Sequence, residues 1–247
     1  MLPETQTREI VMRSLVFVLF VVTTMCSSDS YAGIDHVPTD AVPLITVDNL
    51  DYASLIEEDN TREQMGLPPR FAVQTLTSIT PATHGLWEKL PQDKMRWTYR
   101  VRCDNAMTMN LGFGRYNMPS TGSMTISDVS DDFRIRSFTS KDNKDHGELW
   151  TPIVPSNEIV IEIIVDRSQK KLVSRNIELT SINSGYRGFK DINGRGVSGA
   201  CNIDVMCEQG DPWWNEIPSV GTYTLQGIDM CSGAMINNTA EDQTPYF

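Results

Sequence analysis

The sequence predicts a mainly β protein built around an antiparallel, sandwich-like domain. Three observations carry that expectation. Lys94 to Cys103 sets Met95, Trp97, Tyr99 and Val101 alternately with charged or polar residues, the period of a half-buried strand. Glu158 to Val165 is an apolar run of strand length. Further short segments of this kind, separated by turn residues, recur between Phe71 and Asn183 with no sign of repeated βαβ units.

In chain order, residues 1–32 read as an export signal. Arg13 precedes the apolar run Leu15 to Val22, and small and polar residues follow to Ser30-Tyr31-Ala32. A positive start, an apolar middle and a small-x-small end are processed by signal peptidase, so cleavage is expected between Ala32 and Gly33. Met12 is an alternative start that shortens the leader to a more typical length. A lipoprotein reading through Cys26 is weak, because Met25 stands where a small residue is wanted. The apolar run falls short of the roughly 20 residues that cross a bilayer. No stable membrane anchor is therefore expected after processing, and the mature chain is expected to be secreted, extracellular or periplasmic.

Residues 33–70 read as an extended lead-in followed by one helix. Leu50, Ala53, Leu55, Ile56 and Met65 are spaced as one helical face, with Asp48 as the N-cap, Gly66 as the stop, and Pro68 and Pro69 beyond. Glu57-Glu58-Asp59 is expected on the solvated face. Residues 71–185 carry the sandwich: beyond the two strands above, Met107 to Phe113, Met124 to Val129, Asp132 to Phe138 and Leu172 to Leu179 read as strands. Asn117 to Ser123 and Asp142 to Gly147 read as turns. Residues 186–195 are rich in glycine and charge and read as a linker. Its Arg187, Lys190 and Arg195 offer cuts to a protease that recognises basic residues. Beyond it, Val220 to Leu225 and Met230 to Ile236 are two more short strands.

Composition narrows the function. Lys plus Arg is 21 against 32 Asp plus Glu, a net charge of −11, which argues against a nucleic-acid partner because phosphate binding needs a basic face. A hydrophobic content of 40% is enough for a core. The three histidines, His36, His84 and His146, limit any imidazole chemistry. No cofactor or metal is expected. Asp128 to Asp132 and Asp142 to Asp145 lack the spacing of a calcium loop. Cys201 and Cys207 have no second pair or nearby histidine, and Gly194-Arg195-Gly196 lacks the strand and helix of a phosphate loop. Trp213-Trp214 could present one ring as a platform if they lay on a strand, where neighbours point to opposite faces. A packed loop is the more ordinary reading. Removing the signal leaves Cys103, Cys201, Cys207 and Cys231 in an oxidising compartment. Cys103 reads as a buried small hydrophobe.

The tail resembles a known family. Gly196 to Asp211 (GVSGACNIDVMCEQGD), Val220 to Thr224 (VGTYT) and Cys231 to Thr239 (CSGAMINNT) are similar to the start of the mature catalytic domain of bacterial lysyl endopeptidases, which are secreted trypsin-like serine proteases. More weakly, the Glu57-Glu58-Asp59 helix with Pro69 to Val73, and Gly147 to Pro152 with the strand after it, resemble that family's propeptide. The resemblance implies a signal, a β-rich pro-domain, a linker, and the first strands of a trypsin-like β-barrel over residues 196–247. It implies activation by a cut between Arg195 and Gly196, and pairing of Cys201, Cys207 and Cys231 with cysteines downstream. In the family a T-A-x-H-C strand then brings the general base, and an Asp and a nucleophilic Ser follow. None of His36, His84 and His146 stands in that motif, so no catalytic residue is assigned and the chain as given is expected to be inactive alone.

The expectation is thus the N-terminal fragment of a secreted serine endopeptidase precursor that cleaves after basic residues when complete. A protein or peptide is its substrate only in that full-length form. The alternative is a non-enzymatic secreted β-sandwich for binding or adhesion, or a pro-domain that inhibits a related protease.

Overall fold

The computed structural model of the chain describes residues 39–187, 207–236 and 239–240. The expected signal cleavage at Ala32 and Gly33, His36, the Arg195-Gly196 junction and Cys201 lie outside the described residues.

The described part is mainly β and contains no closed barrel. Its strands are β1 (Leu44–Thr46), β2 (Ala72–Ile79), β3 (Leu86–Leu90), β4 (Lys94–Arg102), β5 (Thr108–Tyr116), β6 (Ser123–Asp128), β7 (Phe138–Thr139), β8 (Leu149–Trp150), β9 (Glu158–Asp166), β10 (Ile177–Gly185), β11 (Val220–Leu225) and β12 (Asp229–Ala234). The helices are α1 (Tyr52–Gln64) and α2 (Lys170–Asn176). A six-stranded sheet runs β1-β4-β9-β6-β7, with β3 sharing the outer edge of β4. A four-stranded sheet runs β2-β10-β5-β8, and β11 and β12 form a separate hairpin. Every pairing is antiparallel except β1 on β4.

One apolar cluster joins the two sheets. β4 contributes Trp97, Tyr99 and Val101, and β9 contributes Ile159, Ile161, Ile163 and Val165. From the smaller sheet, β5 sends Met109, Leu111 and Phe113 and β10 sends Leu179 and Ile182. Each such side chain fully removed from water is worth about 1.5–3 kcal/mol, so this layer is where the fold is held. Cys103 is buried within it. The alternation of β9 is complete, with Ile159, Ile161, Ile163 and Val165 buried and the residues between them half-exposed.

Two expected strands are replaced. Leu172 to Leu179 does not run as one strand: its first part is α2, and β10 begins only at Ile177. Val173, Ile177 and Leu179 are buried while Leu172 is exposed, and Val173 and Ile177 lie one helical turn apart, across the end of α2. Asp132 to Phe138 is a loop in which only Phe138 enters a strand. Ile135 and Phe138 are the buried residues, three apart, which no strand can place on one face. Asp128 holds this loop by accepting from the Phe133 N–H at 2.9 Å and the Ser130 hydroxyl at 2.5 Å. Led by the Ser130 hydrogen bond, these contacts keep its carboxyl below the usual range.

Helix α1 forms where the spacing placed it, but Asp51 rather than Asp48 is the cap, its Oδ1 accepting from the Ser54 N–H at 3.2 Å. Gly66 ends it at φ 68°, a left-handed conformation that glycine adopts without strain. The buried residues of α1 are Leu55 and Asp59. Ile56 and Met65, expected on the packed face, are exposed, and Asp59, expected in solvent, is buried.

Candidate functional site

The chemistry-bearing contacts concentrate where the β11–β12 hairpin meets the sandwich. Every residue from Val220 to Leu225 pairs with one from Asp229 to Ala234. The turn between them has Gln226 at φ 50° and Gly227 at φ 68°, closed by the Ile228 N–H donating to the Leu225 carbonyl at 3.0 Å. Two successive positive φ angles match the right-handed twist of the flanking strands and favour glycine at the second place.

Three sets of contacts seat this hairpin. The first is backbone. Phe71 N–H donates to the Ile228 carbonyl and Met230 N–H donates to the Pro69 carbonyl, both at 2.9 Å, with Arg70 and Asp229 bridged antiparallel between them. The start of β12 therefore lies alongside the chain just before β2. The second is ionic: Arg62 of α1 reaches Asp229 at 2.7 Å and also donates to the Pro68 carbonyl at 3.2 Å. The third is a row of side-chain amides. The register sets Asn183 of β10 opposite Gln74 of β2 on one side and Asn110 of β5 on the other. Gln74 Nε2 donates to Ser181 Oγ at 2.8 Å, Ser181 Oγ to Asn183 Oδ1 at 2.7 Å, and Asn183 Nδ2 to Asn110 Oδ1 at 2.8 Å. Asn110 Nδ2 then donates to the Gly227 carbonyl at 3.0 Å, and Asn183 Nδ2 also reaches the Gln226 carbonyl at 3.3 Å.

A second polar cluster borders the first. The Asp59 carboxylate, 5% exposed, accepts from the Tyr186 hydroxyl at 2.6 Å and from Arg70 Nε at 3.2 Å, and pairs with Arg187 at 2.7 Å. Arg70 also pairs with Glu58 at 2.8 Å. The Tyr186 ring has the Arg70 and Arg187 guanidinium groups over it at 5.7 and 5.3 Å, and its N–H donates to the Phe71 carbonyl at 3.0 Å. Tyr186 and Arg187, assigned by the sequence to the linker, are thus fixed to helix α1 and to the chain beside the hairpin.

Burial, and then the hydrogen bond to Asp59, pushes the Tyr186 hydroxyl up to about 12. In the unfolded chain a tyrosine ionises near pH 10. The folded value is the higher one, so the contribution is full below about pH 10 and is lost as pH rises toward about 12. The urea midpoint is expected to fall across that window, and Tyr186→Phe to flatten part of the fall. A variant that falls as steeply as the parent would show that Tyr186 carries none of it.

The other residues singled out from the sequence do not converge. His84 is exposed with Nδ1 at 2.8 Å from Thr83 Oγ1. His146 is exposed and its Nδ1 accepts from the Glu148 N–H at 3.1 Å. Trp213 and Trp214 are both exposed, at the end of the 3-10 helix Glu208–Trp213 and not on a strand. The Trp214 indole N–H donates to Asp211 at 3.3 Å. Cys207 and Cys231 are free thiols, the first exposed and the second half-buried. Among the described residues, no group of three or more His, Cys, Asp or Glu is placed to hold a metal. No helix among them is long and apolar enough to cross a membrane.

Sequence reasoning missed Asn110, Asn183, Gly227 and the burial of Asp59. A signal for the amides existed: Asn110 interrupts Met109 and Leu111, and Asn183 follows Ile182, in strands where asparagine is disfavoured.

Residues 195–247 match the family described as lysyl endopeptidase, C-terminal domain. The matched segment contains the whole of the docked hairpin, and the two sheets of the sandwich lie outside it. The match supports a relation of this segment to that secreted protease family.

Proposed function

We propose that the chain is the front portion of a secreted serine endopeptidase precursor of the lysyl endopeptidase type, with residues 33–185 as its pro-region and the β-rich pro-domain over residues 71–185. Residues 186–195 would carry the activation cut at Arg195-Gly196, and residues 196–247 would open the catalytic domain. When complete, the enzyme would cleave protein substrates after a basic residue through an acyl-enzyme. The observation that supports this best is the seating of the family-matched hairpin on the upstream sandwich. It joins the two by backbone hydrogen bonds at Phe71 and Met230 and by a buried amide row. A pro-domain that holds the first hairpin of its protease needs such a surface.

The test is to read the encoding DNA through and beyond codon 247. A frame that continues into a T-A-x-H-C strand with later Asp and Ser motifs is the expected result. A stop with none of these nearby would overturn the protease reading. A second reading, a secreted sandwich that binds or inhibits another protein, is favoured by one feature: among the described residues, the apolar cluster between the two sheets draws on none beyond Ile182.

A further inference from the structure

We infer that the amide row on the outer face of the four-stranded sheet is a receptor for a β-hairpin with glycine at its apex, one that keeps hold of its hairpin after the connecting chain is cut. The inference rests on the reading of residues 196–247 as a segment released by cleavage.

The first ground is how completely the hairpin matches the amides it covers. With the hairpin seated, Asn110 and Asn183 are 1% and 0% exposed. Their neighbours Met109, Leu111 and Ile182 face the apolar cluster while the two amides face away from it, toward the hairpin. The Asn110 amide N–H donates to the Gly227 carbonyl and the Asn183 amide reaches the Gln226 carbonyl. A seated segment that lacked those carbonyls would shut the donors off from water with no acceptor, at a cost that folded proteins avoid.

The second ground is direction. Gln74 gives to Ser181, Ser181 to Asn183, Asn183 to Asn110, and Asn110 to the Gly227 carbonyl. Each donor along the row is engaged by the next acceptor, and bonds linked in this way polarise one another. The end of the row offers a donor only, so it selects a carbonyl.

The third ground is shape. Gly227 is buried against the row, and a Cβ added there would overlap Asn110 Oδ1 and stand 2.5 Å from Asn183 Nδ2. The φ of 68° disfavours a side chain as well. The site therefore reads two properties of its partner: a turn carbonyl, and the absence of a side chain beside it. The backbone pair at Phe71 and Met230 and the Arg62–Asp229 ion pair extend the hold along β12. None of these contacts depends on residues 188–206 being continuous.

The experiment uses the full chain. Residues 196–247 contain neither Lys nor Arg, so limited trypsin treatment that cuts among residues 187–195 leaves the C-terminal piece whole. The nicked protein is run on gel filtration under reducing conditions, with mass spectrometry identifying both pieces. The wild-type pieces are expected to co-elute. Gly227→Ala, which leaves the sandwich untouched, is expected to release its piece about tenfold faster or more, and Asn110→Ala to do the same. Amide protection along β9 reports that the sandwich remains folded in each variant. Separation of the wild-type pieces on nicking overturns the inference. So does retention by Asn110→Ala with loss in Gly227→Ala alone, because turn strain would then account for the effect. A gene lacking the protease triad would sink the functional reading while leaving this retention result to stand or fall separately.

Discussion

Asp59→Ala is expected to destabilise the chain by about 3 kcal/mol or more, far beyond an ordinary surface change. The carboxylate is buried and receives Arg70, Arg187 and the Tyr186 hydroxyl together. Removing it leaves two guanidinium groups, each 14% exposed and both against the Tyr186 ring, without the carboxylate that they share. Asp59→Asn keeps the shape and loses the charge, and should fall between the two. The contrast is Glu58→Ala. Glu58 also pairs with Arg70, but its side chain is 55% exposed, and such a pair contributes about 1 kcal/mol or less. Urea unfolding followed by tryptophan fluorescence separates the cases. With a slope of roughly 1–3 kcal/mol/M, the Asp59→Ala midpoint should drop by about 1 M or more. Equal midpoints for Asp59→Ala and Glu58→Ala would refute the central role of the buried carboxylate.

Trp97→Ala should cost about 3–5 kcal/mol. The indole is 2% exposed, stacks on Tyr99 with ring centroids 5.8 Å apart, and donates its N–H to the His84 carbonyl at 2.7 Å. Truncation opens a cavity between the two sheets and strands that carbonyl. For a domain of this size a loss of that order lowers Tm by about 10 °C. Trp97→Phe fills most of the volume but not the hydrogen bond, and is expected to lose only about 1–3 kcal/mol. Thermal melts of the three proteins check this. A Trp97→Phe loss equal to that of Trp97→Ala would mean that the hydrogen bond, not the packing, holds the site.

How much of this was legible in the sequence depends on which faces are wet. β4, β9, β11 and the helix at Tyr52–Gln64 lie where the residue pattern placed them. β9 was legible as an apolar run of strand length, and only the structure divides it into a buried and a half-exposed face. Leu172 to Leu179 failed because a short helix and a strand meet at Ile177, and alternation across the joint imitates a single strand. Asp59 failed for a different reason. A carboxylate in a run of acids reads as solvated, and its burial depends on Arg70, Tyr186 and Arg187, which are distant in sequence. The amide row was hidden in the same way: Gln74, Asn110 and Asn183 become neighbours only through the strand order.

That strand order also imposes a sequence of events during synthesis. β10 is the last strand of the sandwich to be made and lies in the middle of its sheet, between β2 and β5. Gln74 and Ser181, which bond across it, are 107 residues apart. The smaller sheet therefore cannot close while the ribosome is still making the earlier strands, and pairing over such separations is slow. The hairpin is translated only after β10. By the time Gly227 emerges, every residue that contacts it has already been translated, and the growing chain meets its docking surface in the order in which it is needed.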